Sequence, residues 1–326
     1  MIVHTVDHGW GPEWPVKKIE QKILDAYLQP LIADASKTVI INSTWYGEQQ
    51  HESTMQWLRS HAWDQLVLVS MIDAAIAQPN WYREFDRPVL TVGNYAGEHD
   101  ITFWAQVLDQ HFVLPDVTAD IDTAFMCLNR KPHWHRVRLY NHMESRGLLE
   151  HGMVSMGSDS ESLARRKIAE SVFANALAPN GQAQHHGIVN DIVSLGDPVN
   201  WRRCFLNIVT ETVFDIDRCH FVSEKIFKPI LGHRPFLVYA TDGAVQWLDK
   251  HGFMCYTLDF QDITDLDLSR PENTVPFLEI LITQPRSYLH HKIIDLADKI
   301  AYNYDRFRAF VNEQQIKIHK GIACQT

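Results

Sequence analysis

The sequence predicts an α/β protein made of two doubly wound domains, and three observations predict it. Short, branched, continuous apolar runs recur along the chain, such as TVIIN at 38–42, LVLVSMI at 66–72 and VLTV at 89–92. Strands buried on both faces of a parallel sheet read this way. Segments of helical spacing alternate with them; in 16–33 the apolar positions fall at 16, 19, 23, 24, 27 and 28. A second alternating series begins near 124, after a break at 115–122, in a chain of 326 residues, which is length enough for two domains.

In order, residues 2–6 read as a first strand, followed by the turn-rich DHGWGPEWP and the helix at 16–33. The strands at 38–42, 66–72 and 89–92 come next, with Trp57 on a connecting helix and a helix or strand at 102–108. The second series opens with AFMCL at 124–128 and a helix from 135 to 146, ended by Gly147. A helix at 162–177 precedes 179–201, whose many turn formers predict a long loop. CFLNIV at 204–209 is a strand, 223–231 a helix start, and PFLVYA at 235–240 a strand. A helix at 244–250 ends in a turn at Gly252, and 286–318 forms one long amphipathic helix or two. The expected division is 1–118, 119–285, and a helical segment 286–326 that packs back on the first domain.

Composition narrows the function. With 45% apolar and 21% charged residues, the chain is that of a globular protein with a sizeable core. The net charge of −10 and sequence pI of about 5.9 argue against nucleic acid as the main partner. Basic clusters at 130–138 and 165–167 read as solvated faces. Five cysteines, none in a C-x-x-C pair, predict reduced thiols and a cytoplasmic setting. The start, MIVHTVDHGWGPEW, lacks the pattern of a signal peptide, and no apolar run reaches the length of a membrane span.

Several motifs are absent: G-x-G-x-x-G, G-x-x-x-x-G-K-[ST], G-x-S-x-G and H-E-x-x-H. The 18 histidines include His4/His8, His185/His186 and His290/His291, but no Cys/His spacing builds a zinc site. No metal or other cofactor is expected. Asp-x-Asp occurs three times, as Asp120/Asp122, Asp215/Asp217 and Asp265/Asp267. Two carboxylates so placed at a strand end can hold a divalent ion against a diphosphate, and Asp215/Asp217 sits best for this. The same pairs also fit ordinary turn residues.

The stretch FVSEKIFKPILGHRPF, 221–236, concentrates the remaining chemistry. Ser223 is a good N-cap, and Glu224 falls in the first helical turn. The free N–H groups of such a helix attract anions, and Lys225 and Lys228 add cations at the same end. A carboxylate there is placed to accept hydrogen bonds from a ribose diol. The strand before the helix puts this end at the C-terminal edge of a parallel sheet, where α/β ligands bind. An ordinary capped helix with surface lysines fits the same pattern. Pro229 removes one backbone donor inside the helix and predicts an irregular first turn.

The segment CFLNIVTETVFDIDRCHFVSEKIFKPILGHRPFLVYA resembles the nucleotide-sugar motif of the fucosyltransferase-like glycosyltransferases. The matching residues are Glu211, Phe221, Val222, Ser223-Glu224-Lys225 and Pro235. With the Lys-Pro and a downstream W-L-x-x-x-G-F, it is also similar to glycosyltransferase-like proteins of phages and large viruses. Upstream, FMCLNRKPHWHRVRLYNHMESRGLLEHGMVS resembles the family segment in which an Arg opens a helix, and Arg136 falls on that Arg. Together the two matches span 123–255, about two-fifths of the chain.

The resemblance implies a GT-B-like fold, two Rossmann-like domains facing a cleft, and an inverting, metal-independent transfer from a nucleoside-diphosphate sugar to a glycan or other hydroxyl acceptor. It implies that Glu224 holds the ribose, that Lys225 and Arg136, helped by Lys228, neutralise the diphosphate, and that Glu211 lies near the donor sugar. The acceptor hydroxyl then needs a base from the first domain, with Asp7, His8, Glu48 and Glu98 as candidates. The alternatives are a metal-dependent GT-A-type transferase using Asp215/Asp217, a non-catalytic nucleotide-sugar or glycan binder, and a phage DNA-base glycosyltransferase.

Overall fold

The computed structural model describes residues 2–5, 38–43, 52–70, 89–93, 121–129, 132–156, 183–185, 188–190, 195, 198–211, 214, 222–240 and 242–323. The helices expected at 16–33 and 162–177 and the element at 102–108 lie outside them. So do Asp7, His8, Glu48, Glu98, Asp120, Asp215, Asp217 and Phe221. The chain divides into two compact units, Met1–Val107 with Ala309–Thr326, and Leu108–Arg308.

In the first unit, β1 (Ile2–Thr5), β2 (Thr38–Ser43), β3 (Gln65–Ser70) and β4 (Val89–Gly93) form an all-parallel sheet in that order. Helix α1 (Glu52–Ser60) connects β2 to β3 and carries Trp57, as the sequence predicts. Leu58 and Trp63 are buried, and the Trp63 indole N–H donates to the Leu58 carbonyl at 2.9 Å, which closes the turn into β3. The described strands run in sequence order, so among them this sheet shows no reversal of winding.

The second unit holds β5 (Thr123–Asn129), β6 (Gly152–Met156), β9 (Cys204–Thr210) and β10 (Phe236–Tyr239), all parallel, in the order β10-β9-β5-β6. The chain starts in the middle at β5, moves out to β6, then returns to β9 and moves out the other way to β10. That reversal between β5 and β9 is the switch point of a doubly wound sheet. Every residue of β9 is buried, as its unbroken run CFLNIVT requires of a central strand.

Around this sheet lie α2 (Trp134–Ser145), α3 (Pro198–Arg203), α4 (Glu224–Leu231), α5 (Asp242–Lys250), α6 (Thr274–Leu281), α7 (Arg286–Asp295) and the first part of α8 (Ala297–Ala323). Helix α2 ends where predicted. Gly147 takes φ 69°, which lets the Gly147 and Leu148 amides turn back to the Glu144 and Met143 carbonyls. The terminal segment resolves into two helices, α7 and α8.

The expected loop at 179–201 needs correction. It carries a two-stranded antiparallel ribbon, β7 (Ala183–His185) with β8 (Ile188–Asn190), and the start of α3. Its turn formers sit mostly between these short pieces, and Pro198 opens α3, where its fixed φ and missing N–H suit a first helical residue. β6 also escaped the sequence reading, because its apolar run is only GMVSM.

The core fixes α4 in place. Phe227 is fully buried, with its ring centroid 6.2 Å from that of Trp247, 6.1 Å from Phe253 and 5.3 Å from Phe307. Burying a side chain of that size stabilises by roughly 1.5–3 kcal/mol. Pro229 lies inside the helix, and at the helix start the Ile226 N–H reaches the Ser223 carbonyl, three residues back, at 3.4 Å, as helix termini commonly do.

Candidate functional site

The C-terminal edge of the second unit's sheet gathers the predicted residues. Glu211 follows β9 directly, α2 opens after β5, and α4 opens after the 211–223 connection. These strands flank the switch point, so the two helix starts lie side by side at one edge of the sheet. Two bonds record it. Arg136 Nη2 donates to the Thr210 carbonyl at 3.1 Å, and His135 Nε2 donates to the Glu211 carbonyl at 2.8 Å.

Glu211 is fully buried. Its carboxylate accepts the Ser223 amide at 3.0 Å on Oε1 and the Ser223 hydroxyl at 2.5 Å on Oε2. Ser223 is the N-cap of α4, as the sequence predicts: its Oγ accepts the Lys225 amide at 3.4 Å. The Lys225 ammonium donates to the same Oγ at 3.1 Å and to Glu224 Oε1 at 2.8 Å. Glu211, Ser223, Glu224 and Lys225 therefore form one connected group, with Arg136 and Lys228 joined to it through charge.

The electrostatics follow from burial and neighbours. Burial pushes the Glu211 carboxyl up, and Lys225 and the two Ser223 bonds only partly counter it. Burial also works to raise Glu224, but Lys225 and Lys228 carry it below its usual range. Arg136 is itself buried, which lowers its pKa, while Glu211 and Glu224 support its charge. Among the described residues, Arg136, Lys225 and Lys228 thus set their positive charges beside Glu211 and Glu224 at the start of α4.

The sequence reading missed the polar ends of the strands. The Asn129 amide N–H donates to Ser155 Oγ at 3.1 Å, and the Thr210 hydroxyl donates to Asn129 Oδ1. All three are buried and tie the ends of β6, β5 and β9 together. Their signal was available: FMCLN and FLNIVT each end an apolar run on a polar residue. Beside them, Phe214 stacks on His135, with ring centroids 5.0 Å apart, and meets Trp134 edge-on at 5.4 Å.

Two of the three Asp-x-Asp pairs include residues in structural roles. Asp122 takes both oxygens to Arg203 Nε, at 3.0 and 2.9 Å. Asp267 accepts the Ser269 amide and hydroxyl and the Arg270 Nε, as a turn residue does. Among the described residues no group of three His, Cys, Asp or Glu is placed to hold a metal, and no helix is long and apolar enough to cross a membrane. A cavity of about 410 Å³ opens at the opposite, N-terminal edge of the sheet, lined by Thr123, Gly152, Arg203, Gln284 and Arg286 among others, and shares no residue with this group.

No family model matches the chain, and no curated protein does. The solved structures similar to it include two glycosyltransferase structures. One is the spinosyn rhamnosyltransferase SpnG, 12% identical over 87% of this chain and 75% of that one, with a TM-score of 0.34. The other is the T4 phage BGT in complex with its UDP-glucose substrate, 11% identical over 86% and 76%, with a TM-score of 0.33. Likenesses so distant carry no argument, and the functional reading rests on the chain's own residues.

Proposed function

We propose that this protein is a glycosyltransferase of GT-B type that moves a sugar from a nucleoside-diphosphate donor to an acceptor hydroxyl, with inversion and without a metal ion. One observation carries the reading: Ser223, Glu224 and Lys225 open α4 at the switch point of a parallel sheet, beside Glu211 and Arg136. The positive dipole end of the helix and the fixed cations at that place suit a diphosphate. Glu224 accepts the ribose hydroxyls, Lys225 and Lys228 meet the phosphates, and the Arg136 charge adds to their field.

The chemistry follows from the leaving group. The acceptor oxygen attacks the anomeric carbon, and the bond from that carbon to the diphosphate oxygen breaks. Negative charge grows on the diphosphate, and fixed cations stabilise it most at that moment. The acceptor proton passes to a base, for which Asp7, His8, Glu48 and Glu98 of the first unit are the candidates. The acceptor is a glycan or another hydroxyl compound; the acidic charge balance disfavours DNA.

The test has two stages. A thermal-shift screen against UDP, GDP, ADP and CMP sugars identifies the donor, since a ligand of the native state raises its melting temperature. Transfer and donor hydrolysis are then measured for wild type and Lys225→Ala. The expected loss is about 10²–10³-fold, the scale of removing one group that stabilises the departing charge. Full activity in the variant refutes the assignment. Binding with neither transfer nor hydrolysis marks a binder, and activity lost in chelator marks a metal-dependent enzyme.

A further inference from the structure

The Ser223 hydroxyl has two lone pairs and one proton. Both lone pairs are taken by Lys225, one by its backbone N–H and one by its ammonium. The proton therefore points outward, and Glu211 Oε2 stands 2.5 Å away to accept it. Oε1 is occupied at the same time by the Ser223 amide. Glu211 accepts on both oxygens and is called on to donate nothing, the pattern that an ionised carboxylate serves best.

We infer that Glu211 is a positioning residue: its ionised carboxylate orients the Ser223 hydroxyl, and that hydroxyl holds the Lys225 ammonium across the start of α4. Glu211 acts through Ser223, behind the surface that a ligand would meet. Among the described residues four charged or titratable groups face it, Arg136 and His135 from α2 and Glu224 and Lys225 from α4. Burial raises its pKa, so protonation releases the Ser223 proton from its place at a higher pH than for an ordinary carboxyl. A glutamine at 211 cannot replace it. Ser223 sends two donors, and the amide offers one acceptor oxygen and one more donor.

For its effect on ligand binding the inference rests on the donor reading above; the relay itself does not. The test uses the full chain in four forms: wild type, Glu211→Gln, Ser223→Ala and Ser223→Thr. Acetylation of Lys225 by an activated ester is followed by peptide mass spectrometry without ligand. The affinities for UDP and GDP are measured across the acid range.

In Glu211→Gln and Ser223→Ala, Lys225 labelling rises by about tenfold, the worth of one hydrogen bond to a charged group. Ser223→Thr, which keeps the hydroxyl, labels as wild type does. Nucleotide affinity of the wild type falls on an acid limb placed above the usual Glu value of about 4.3, and Glu211→Gln lacks that limb. Wild-type labelling in both Glu211→Gln and Ser223→Ala overturns the relay. If labelling rises in both but none of the sugars in the donor screen binds the wild type, the relay stands and the donor reading falls.

Discussion

His135 Nε2 donates to the backbone carbonyl of Glu211 at 2.8 Å, and so ties the first turn of α2 to the residue that follows β9. The ring also stacks on Phe214. A phenylalanine at 135 keeps the stacking but orphans the buried carbonyl, which costs about 1–3 kcal/mol. His135→Ala loses both and is destabilised further. Urea unfolding of the two variants reads this order, and a Phe variant as stable as wild type would show that the bond contributes nothing.

Gly232 is required by Trp201. A Cβ at 232 would lie 2.2 Å from the indole Cε3 and 2.6 Å from Cδ2, with both groups buried beside α3 and the end of α4. Gly232→Ala forces one of them to move and is expected to cost about 1–3 kcal/mol. Trp201→Leu in the same chain should recover part of that loss, because it vacates the space. Additive losses in the double variant, measured by thermal unfolding, would deny the contact.

Much of the second unit is legible in the sequence, for a physical reason. β9 and β10 are buried along their length, β5 has a buried apolar centre, and α2, α4 and α5 carry local stop or start signals such as Gly147, Ser223 and Gly252. Ser223 as N-cap followed from residue type alone. The bond from Ser223 to Glu211 did not, since twelve residues of connection separate them and only the sheet brings them together. His135 and Asn129 were missed for the same reason: their partners lie 76 and 26 or 81 residues away. The pattern shows which residues are polar at a strand end, and topology decides which of them meet.

His233 sits at φ 51°, the left-handed region, just past Gly232 at the end of α4. Burial, then the Arg234 charge, lower its pKa. The fold therefore favours the neutral ring. Between its folded value and the unfolded value of about 6.5, the unfolded chain binds more protons, so stability is full above about pH 6.5 and falls as pH drops through the folded pKa. Asparagine tolerates the same φ and does not titrate. His233→Asn should flatten the stability profile between about pH 5 and 7, where the histidine changes charge. An unchanged slope by thermal unfolding at several pH values would assign it to other groups.

Glu224 and Lys225 make the last case, because here burial and pairing pull in opposite directions. Burial works to raise the Glu224 carboxyl, and the pull of Lys225 and Lys228 lowers it overall. A carboxyl lowered in the fold adds stability that is present above the unfolded value of about 4.3 and is lost as pH falls through the folded one. Lys225→Met removes the nearer cation and leaves burial in command, so the Glu224 pKa rises and the sign reverses. The variant should approach wild type only as pH falls below the lowered folded value of Glu224, and fall behind as pH rises toward 7. Since Lys225 is partly exposed, the gap at neutral pH belongs at the low end of the about 3–5 kcal/mol seen when a buried pair is broken. Glu224→Gln in the same chain should close most of it. A gap that does not change with pH would mean that packing of the lysine stem, rather than its charge, holds the start of α4.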